Sequence, residues 1–244
     1  MESNVMVYLM TGFLDSGKTQ FLKFTLEQDY FQIDGKTLLI LCEEGEEEYN
    51  PMEMLKYGVV IEKIEDQEDL TEEYLEELNR KHEPERVVVE YNGMWKVSDF
   101  ESMKLPDGWE IEQKLTTVDA STFQMYLTNL KPLFVEMVRG AELVLFNRCE
   151  DLKPLPGYRR SVKVVSPQAE VIFEDEEGEI ENIFEDDVPY DLKAPVIQIA
   201  REDYGIWYVD MMENPDRYKG KTVEFTAKVL KPRSFPSKVF LPGR

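Results

Sequence analysis

The chain has 244 residues, 42% hydrophobic and 32% charged, which suits one α/β domain with a core plus a smaller appendage and excludes a disordered chain. A formal charge of −22 without any basic stripe argues against nucleic acid as a partner, and no run reaches the roughly 18 apolar residues that cross a bilayer. Two cysteines, Cys42 and Cys149, and a single histidine, His82, make no disulfide framework and fit a reducing cytoplasm; the first residues carry no basic region of a signal peptide.

Residues 5–10 form a short apolar run that predicts a buried strand leading into Thr11-Gly12. Residues 18–30, with Phe21, Leu22, Phe24 and Leu26, predict a helix with one broad apolar face. Strands are predicted at 36–42, 58–64, 86–91, 110–119 and 142–146, with helices at 68–82 and 121–139 between them. Ser121 is the expected N-cap of the second helix and Gly140 its stop. Alternation of strands and helices implies crossovers and a mainly parallel sheet flanked by helices. Beyond residue 151 the chain becomes turn-rich, with strands expected at 162–165 and 169–173 and an acidic hairpin tip and loop at 174–187. From Ala194 the chain reads PVIQIA, then predicts a short helix near 204–212 and one long alternating strand over 220–230. The expected division is an α/β domain over 1–192 and a partial, mostly β, barrel-like module over 193–244.

Residues 12–19, GFLDSGKT, match the phosphate-binding P-loop pattern, with a strand before and an amphipathic helix after it. Glycines at 12 and 17 let the backbone of the loop, through Asp15 and Ser16, turn its N–H groups toward phosphate oxygens. Lys18 brings a point charge to the outer phosphates, Thr19 a hydroxyl for Mg²⁺, and the helix its positive end. A P-loop protein also needs a carboxylate beyond a second strand. Glu90, ending RVVVE with Gly93 three residues on, occupies that place. Residues 42–50, CEEGEEEYN, follow another strand at the position of a switch; Glu43 is expected to act on Mg²⁺ or the attacking water while the other glutamates face solvent. After residues 142–146 the loop Asn147-Arg148-Cys149-Glu150 is the expected base reader: Arg148 would stack on the base and Glu150 would accept from guanine. Asp119 in TTVDAS is a strand-end acid near the same edge, and Cys42 and Cys149 read as buried packing residues.

These segments together resemble the CobW-type P-loop GTPases of the CobW/HypB/UreG group, relatives of the GTPases that mature nickel enzymes. GFLDSGKT, CEEGEEE, VVVEYNG, TTVDAS, LVLFNRCEDL and SPQAEVIF carry the resemblance over about residues 4–173. It implies GTP and Mg²⁺ as ligands: the P-loop residues and Lys18 on phosphates, Thr19 on Mg²⁺, Glu43 in a switch, Glu90 in the Walker-B position, and Asn147 and Glu150 at the base. It also implies a GTPase switch in metal homeostasis or metalloprotein maturation, a metal-transport or metalloprotein partner, and pairing of two copies on nucleotide binding. Three departures point to slow hydrolysis. No C-x-C-C metal motif lies between Cys42 and Cys149, the Walker-B tail reads E-Y-N-G, and the base motif reads N-R-C-E. The last 56 or so residues resemble the C-terminal module of permease-associated bacterial GTP-binding proteins, a small barrel whose cysteine-bearing last strand is not in this sequence. The alternative reading is therefore a metal-handling adaptor for a membrane permease with a vestigial nucleotide site, and ATP in place of GTP is the third.

Overall fold

The computed structural model describes residues 4–150, 155–180, 188–201, 203–230 and 241–243. They divide into two compact units, Met1–Glu181 and Asn182–Arg244.

The first unit is built on strands β1 (Val5–Thr11), β2 (Thr37–Leu41), β3 (Val59–Lys63), β4 (Arg86–Glu90), β5 (Trp109–Asp119), β6 (Leu143–Asn147), β7 (Glu170–Asp175) and β8 (Gly178–Glu179). They form one sheet in the order β3-β2-β4-β1-β5-β6-β7-β8. Every pairing is parallel except the terminal β7-β8 hairpin. Helices α1 (Lys18–Glu27), α2 (Pro51–Met54), α3 (Glu72–His82), α4 (Val97–Glu101), α5 (Phe123–Asn129), α6 (Lys131–Val138) and α7 (Leu155–Val165) connect the strands. A strand covered on both faces has no use for polar alternation, and β2 and β4 are buried at every position. Leu22 and Leu26 stand one turn apart on α1 and pack with Met10, Leu39 and Val88 in one core cluster. Each such aliphatic burial stabilises by about 1.5–3 kcal/mol.

α3 illustrates local agreement between chemistry and structure. The Thr71 hydroxyl accepts from the Tyr74 N–H at 3.2 Å, Glu72 and Glu73 sit in the first turn, and Arg80, Lys81 and His82 in the last. His82 is not a free surface residue: its ring bonds Glu62 at 2.6 Å.

Several sequence expectations are corrected. The strand expected at 162–165 belongs to α7. Leu155, Tyr158 and Val162 are buried at helical spacing, and Tyr158 packs edge-on against Phe123, so the helical period outweighs the β-propensity of VKVV. The single helix expected over 121–139 is two helices. Pro132 lies in the first turn of α6, where its missing N–H costs least, and the chain breaks before it. Ser121 is no N-cap; its N–H and hydroxyl bond the Asp119 carboxylate, and Thr122 precedes α5. Gly140 ends α6 at φ 73°, as a helix stop requires. The acidic loop is described only to residue 180, where it forms the β7-β8 hairpin; its remainder at 181–187 lies outside the described residues.

In the second unit β9 (Val196–Ile199) and β10 (Thr222–Phe225) pair in parallel, joined through helix α8 (Tyr204–Glu213). β11 (Lys228–Leu230) and β12 (Leu241–Gly243) form a separate antiparallel pair. The one long strand expected over 220–230 is thus two strands with different partners. Tyr190, Ile197, Ile199 and Tyr218 make the small core, and Trp207 lies over Phe225 at 4.8 Å.

Candidate functional site

The parallel order brings the loops after β1, β2, β4 and β6 to one edge of the sheet. β1 lies between β4 and β5, at the place where successive strands leave in opposite directions, and an open α/β sheet forms its crevice there. Register completes the alignment: Glu90 stands beside Met10 on one side and Leu41 on the other, and Asp119 beside Asn147.

Residues 12–17 curl between β1 and α1. Asp15 and Gly17 are left-handed, at φ 57° and 91°. A side chain at 17 would be strained by that φ and would also place its Cβ 2.4 Å from Asn147 Nδ2, so both backbone and space demand glycine. Among the described residues no side chain caps α1, and its first turn holds no acid. Its leading N–H groups therefore remain available to an anion, with the helix dipole in favour. The loop is braced from behind by Ser16 Oγ on Thr117 Oγ1 at 2.9 Å and by Phe13 stacked on Tyr126 at 4.2 Å.

Lys18 is buried and bent back over this loop. Its ammonium donates to the carbonyls of Gly12 and Phe13, each at 3.0 Å, and to Glu43 Oε2 at 2.5 Å. The other Glu43 oxygen accepts from the Gly93 N–H at 3.3 Å. Gly93 passes so close to the P-loop that a Cβ would lie 2.5 Å from the Gly12 carbonyl oxygen.

Beside them, the Thr19 hydroxyl donates to Glu90 Oε1 at 2.7 Å and the Tyr49 hydroxyl to Glu90 Oε2 at 2.5 Å. Glu90 is 2% exposed. Burial pushes its pKa up, opposed by the bonds from Tyr49 and Thr19 and by the Lys18 charge. Burial and the Glu90 charge likewise push the Tyr49 phenol well up, so it remains a donor. Tyr49 has no sequence signature: it sits 41 residues from its partner in an acidic loop.

At the other end of the loop, Asn147 Nδ2 donates to the Ser16 carbonyl at 2.8 Å, while Asn147 Oδ1 is buried with no partner among the described residues. Arg148 takes a left-handed backbone, φ 53°, and its guanidinium donates to the Asp15 carbonyl at 2.8 Å and to Asp119 Oδ2 at 2.7 Å. Asp119 is the anchor: its other oxygen is held by the Ser121 N–H and hydroxyl. Glu150 is exposed and does not line the cavity shared by Asp15, Gly17, Lys18, Thr19, Glu43, Glu90 and Arg148.

The cysteines belong to the core. Burial, then the charges of Glu90 and Glu43, push the Cys42 thiol far up, and burial pushes Cys149 up to about 12, so neither is a ready thiolate. Among the described residues no group of three or more His, Cys, Asp or Glu side chains is placed to hold a metal. Thr19 and Glu90 offer adjacent hard oxygen donors instead. That donor set fits a Mg²⁺ ion bound through one or two protein oxygens, phosphates and water, and does not fit a soft cation.

Residues 6–173 match the family described as the CobW/HypB/UreG nucleotide-binding domain, and residues 176–244 match the DUF1980 C-terminal domain. No curated protein matches the chain. Among solved structures, Hydrogenase Maturation Factor HypB from Archaeoglobus fulgidus aligns with a TM-score of 0.51 at 18% identity, over 72% of this chain and 83% of that one. The Zn(II)-bound YjiA GTPase from E. coli aligns with a TM-score of 0.52 at 22% identity, over 73% of this chain and 59% of its own length. At these identities the two structures speak for the fold. The family match, which covers most of the chain, places this protein in the CobW/HypB/UreG family, through a nucleotide-binding domain that contains the P-loop sequence at residues 12–19.

Proposed function

We propose that this protein binds GTP with Mg²⁺ and hydrolyses it slowly, as a cytoplasmic switch serving a metal-transport or metalloprotein partner. The observation that carries the reading is the convergence of Lys18, Thr19, Glu43 and Glu90 on one cavity at the uncapped start of α1. Amides of residues 12–19 and the Lys18 ammonium would hold the phosphate chain. Thr19 and Glu90 would hold Mg²⁺, which neutralises phosphate charge when bound. Glu43 and Glu90 are the carboxylates within reach of an attacking water, and their work is positioning, not covalent chemistry. Arg148, held by Asp119, would stack on the base, with Asn147 and Glu150 giving preference for guanine over adenine. The departures from the family pattern at residues 91, 92 and 147–150 support slow turnover. Pairing of two copies around the nucleotide belongs to the same reading and rests on the family resemblance.

Isothermal titration of the full chain with GTP·Mg²⁺ tests this. Wild type should bind, with ATP a weaker competitor. Lys18→Ala should lose one charge-assisted contact, about 1.5–3 kcal/mol, or at least about tenfold in affinity. Folded wild type that takes up no nucleotide would overturn the proposal in favour of an adaptor with a vestigial site.

A further inference from the structure

We propose that Glu43 is a built-in competitor of the terminal phosphate, so that this residue sets how strongly the site prefers a nucleoside triphosphate over a diphosphate. The inference rests on the GTP-binding reading above and goes beyond it.

An ammonium has three N–H groups and no more. Those of Lys18 point to the Gly12 carbonyl, the Phe13 carbonyl and Glu43 Oε2, so its donors are fully used. The second Glu43 oxygen takes the Gly93 N–H. One carboxylate therefore spans the P-loop lysine and the amide of the glycine beyond the Glu90 strand. These are the two donors that would meet the end of a phosphate chain, while the inner phosphates lie along the loop amides. A carboxylate and two phosphoryl oxygens offer the same chemistry: a pair of anionic acceptors for charge-assisted bonds. They cannot both hold the same two donors. The Lys18 and Glu43 side chains are 3% and 9% exposed, so solvent and salt screen their attraction little.

Glu43 also cannot drift away on a free loop. The preceding Cys42 is pinned on both sides, its N–H on the Glu90 carbonyl at 2.9 Å and its carbonyl on the Asn92 amide at 3.2 Å. Farther along, the Glu46 N–H bonds Asp15 at 3.2 Å and Tyr49 bonds Glu90. A terminal phosphate must expel the Glu43 carboxylate and disturb this loop. A diphosphate ends short of Gly93: it competes for Lys18 alone and leaves the Gly93 contact of Glu43 in place. Binding of the third phosphate and movement of residues 43–49 are thereby one event.

The test is titration of the full chain, wild type, Glu43→Gln and Glu43→Ala, with GDP·Mg²⁺ and with a non-hydrolysable GTP analogue and Mg²⁺. Thermal unfolding confirms that each variant is folded. Loss of the competing charge should tighten the analogue about tenfold and GDP several-fold less, raising the ratio of the two affinities in both variants. An unchanged or lowered ratio, with GDP still bound, would overturn this inference alone and make Glu43 a ligand of the nucleotide or its metal. No nucleotide binding by any of the three proteins would overturn the GTP-binding reading, and this inference with it.

Discussion

Glu90 carries the sharpest single-residue consequence. Its carboxyl is buried and its pKa lies above the ordinary 4.5, chiefly through desolvation. The folded protein therefore holds that proton more firmly than the unfolded chain does. The stability this contributes is complete below 4.5 and is lost as pH rises through the raised value. Glu90→Gln keeps the shape and removes the titration. In thermal unfolding without nucleotide, the stability of wild type relative to Glu90→Gln should fall steadily from pH 4.5 toward neutrality. A difference that grows with pH would show that the Thr19 and Tyr49 bonds outweigh burial. Tyr49 is the companion residue at this scale, since among the described residues its hydroxyl alone holds the Glu90 oxygen that Thr19 does not.

At the scale of elements, β5 and α6 are joined by a buried cation that does not line the cavity at Lys18. Lys114 on β5 donates to the carbonyls of Glu136 and Arg139, at 3.0 and 2.8 Å, and to Glu101 at 2.8 Å. It closes the last turn of α6, where carbonyls have no helical partner. Burial pulls its pKa down and Glu101 pulls it back. Lys114→Met keeps the chain length but strands both carbonyls, while the Glu101 carboxylate, 42% exposed, stays solvated. The expected loss is about 1–3 kcal/mol in urea unfolding, with nucleotide affinity changed less than about twofold. Unchanged stability would mean that water reaches these carbonyls as well as Lys114 does.

The whole molecule carries −22, and five glutamates crowd residues 43–48, of which Glu43, Glu46 and Glu47 line the cavity. A nucleotide-Mg²⁺ complex is itself an anion, so long-range repulsion slows its approach. Between about 0.01 M and 0.15 M salt the Debye length falls from about 30 Å to about 8 Å. The association rate of a fluorescent GTP analogue should therefore rise over that range, the reverse of a basic nucleic-acid binder. A falling rate would mean that the local field of Lys18 and Arg148 governs the encounter. At the same scale, the two units Met1–Glu181 and Asn182–Arg244 have separate hydrophobic clusters, and their family matches meet between residues 173 and 176.

Much of the α/β unit was legible from local chemistry. A strand buried on both faces is a continuous apolar run, an amphipathic helix repeats at its own period, and GFLDSGKT between them has one backbone solution. Those signals located β1, β2, β4, β5 and β6, the P-loop, and Glu90 and Asn147 at strand ends. Where two periods fit, as in VKVV, or where a proline breaks a helix, local signals failed and packing on Phe123 or the break before α6 decided. The working contacts of the site were not legible at all. Glu43 meets Lys18 across 25 residues and Gly93 across 50, Tyr49 meets Glu90 across 41, and Arg148 meets Asp119 across 29. Each depends on strand order, and periodicity carries no information about which parallel strand lies beside which. The residues at 12–19 match the phosphate-binding pattern by themselves; that an internal carboxylate already grips the lysine is a property of the folded sheet alone.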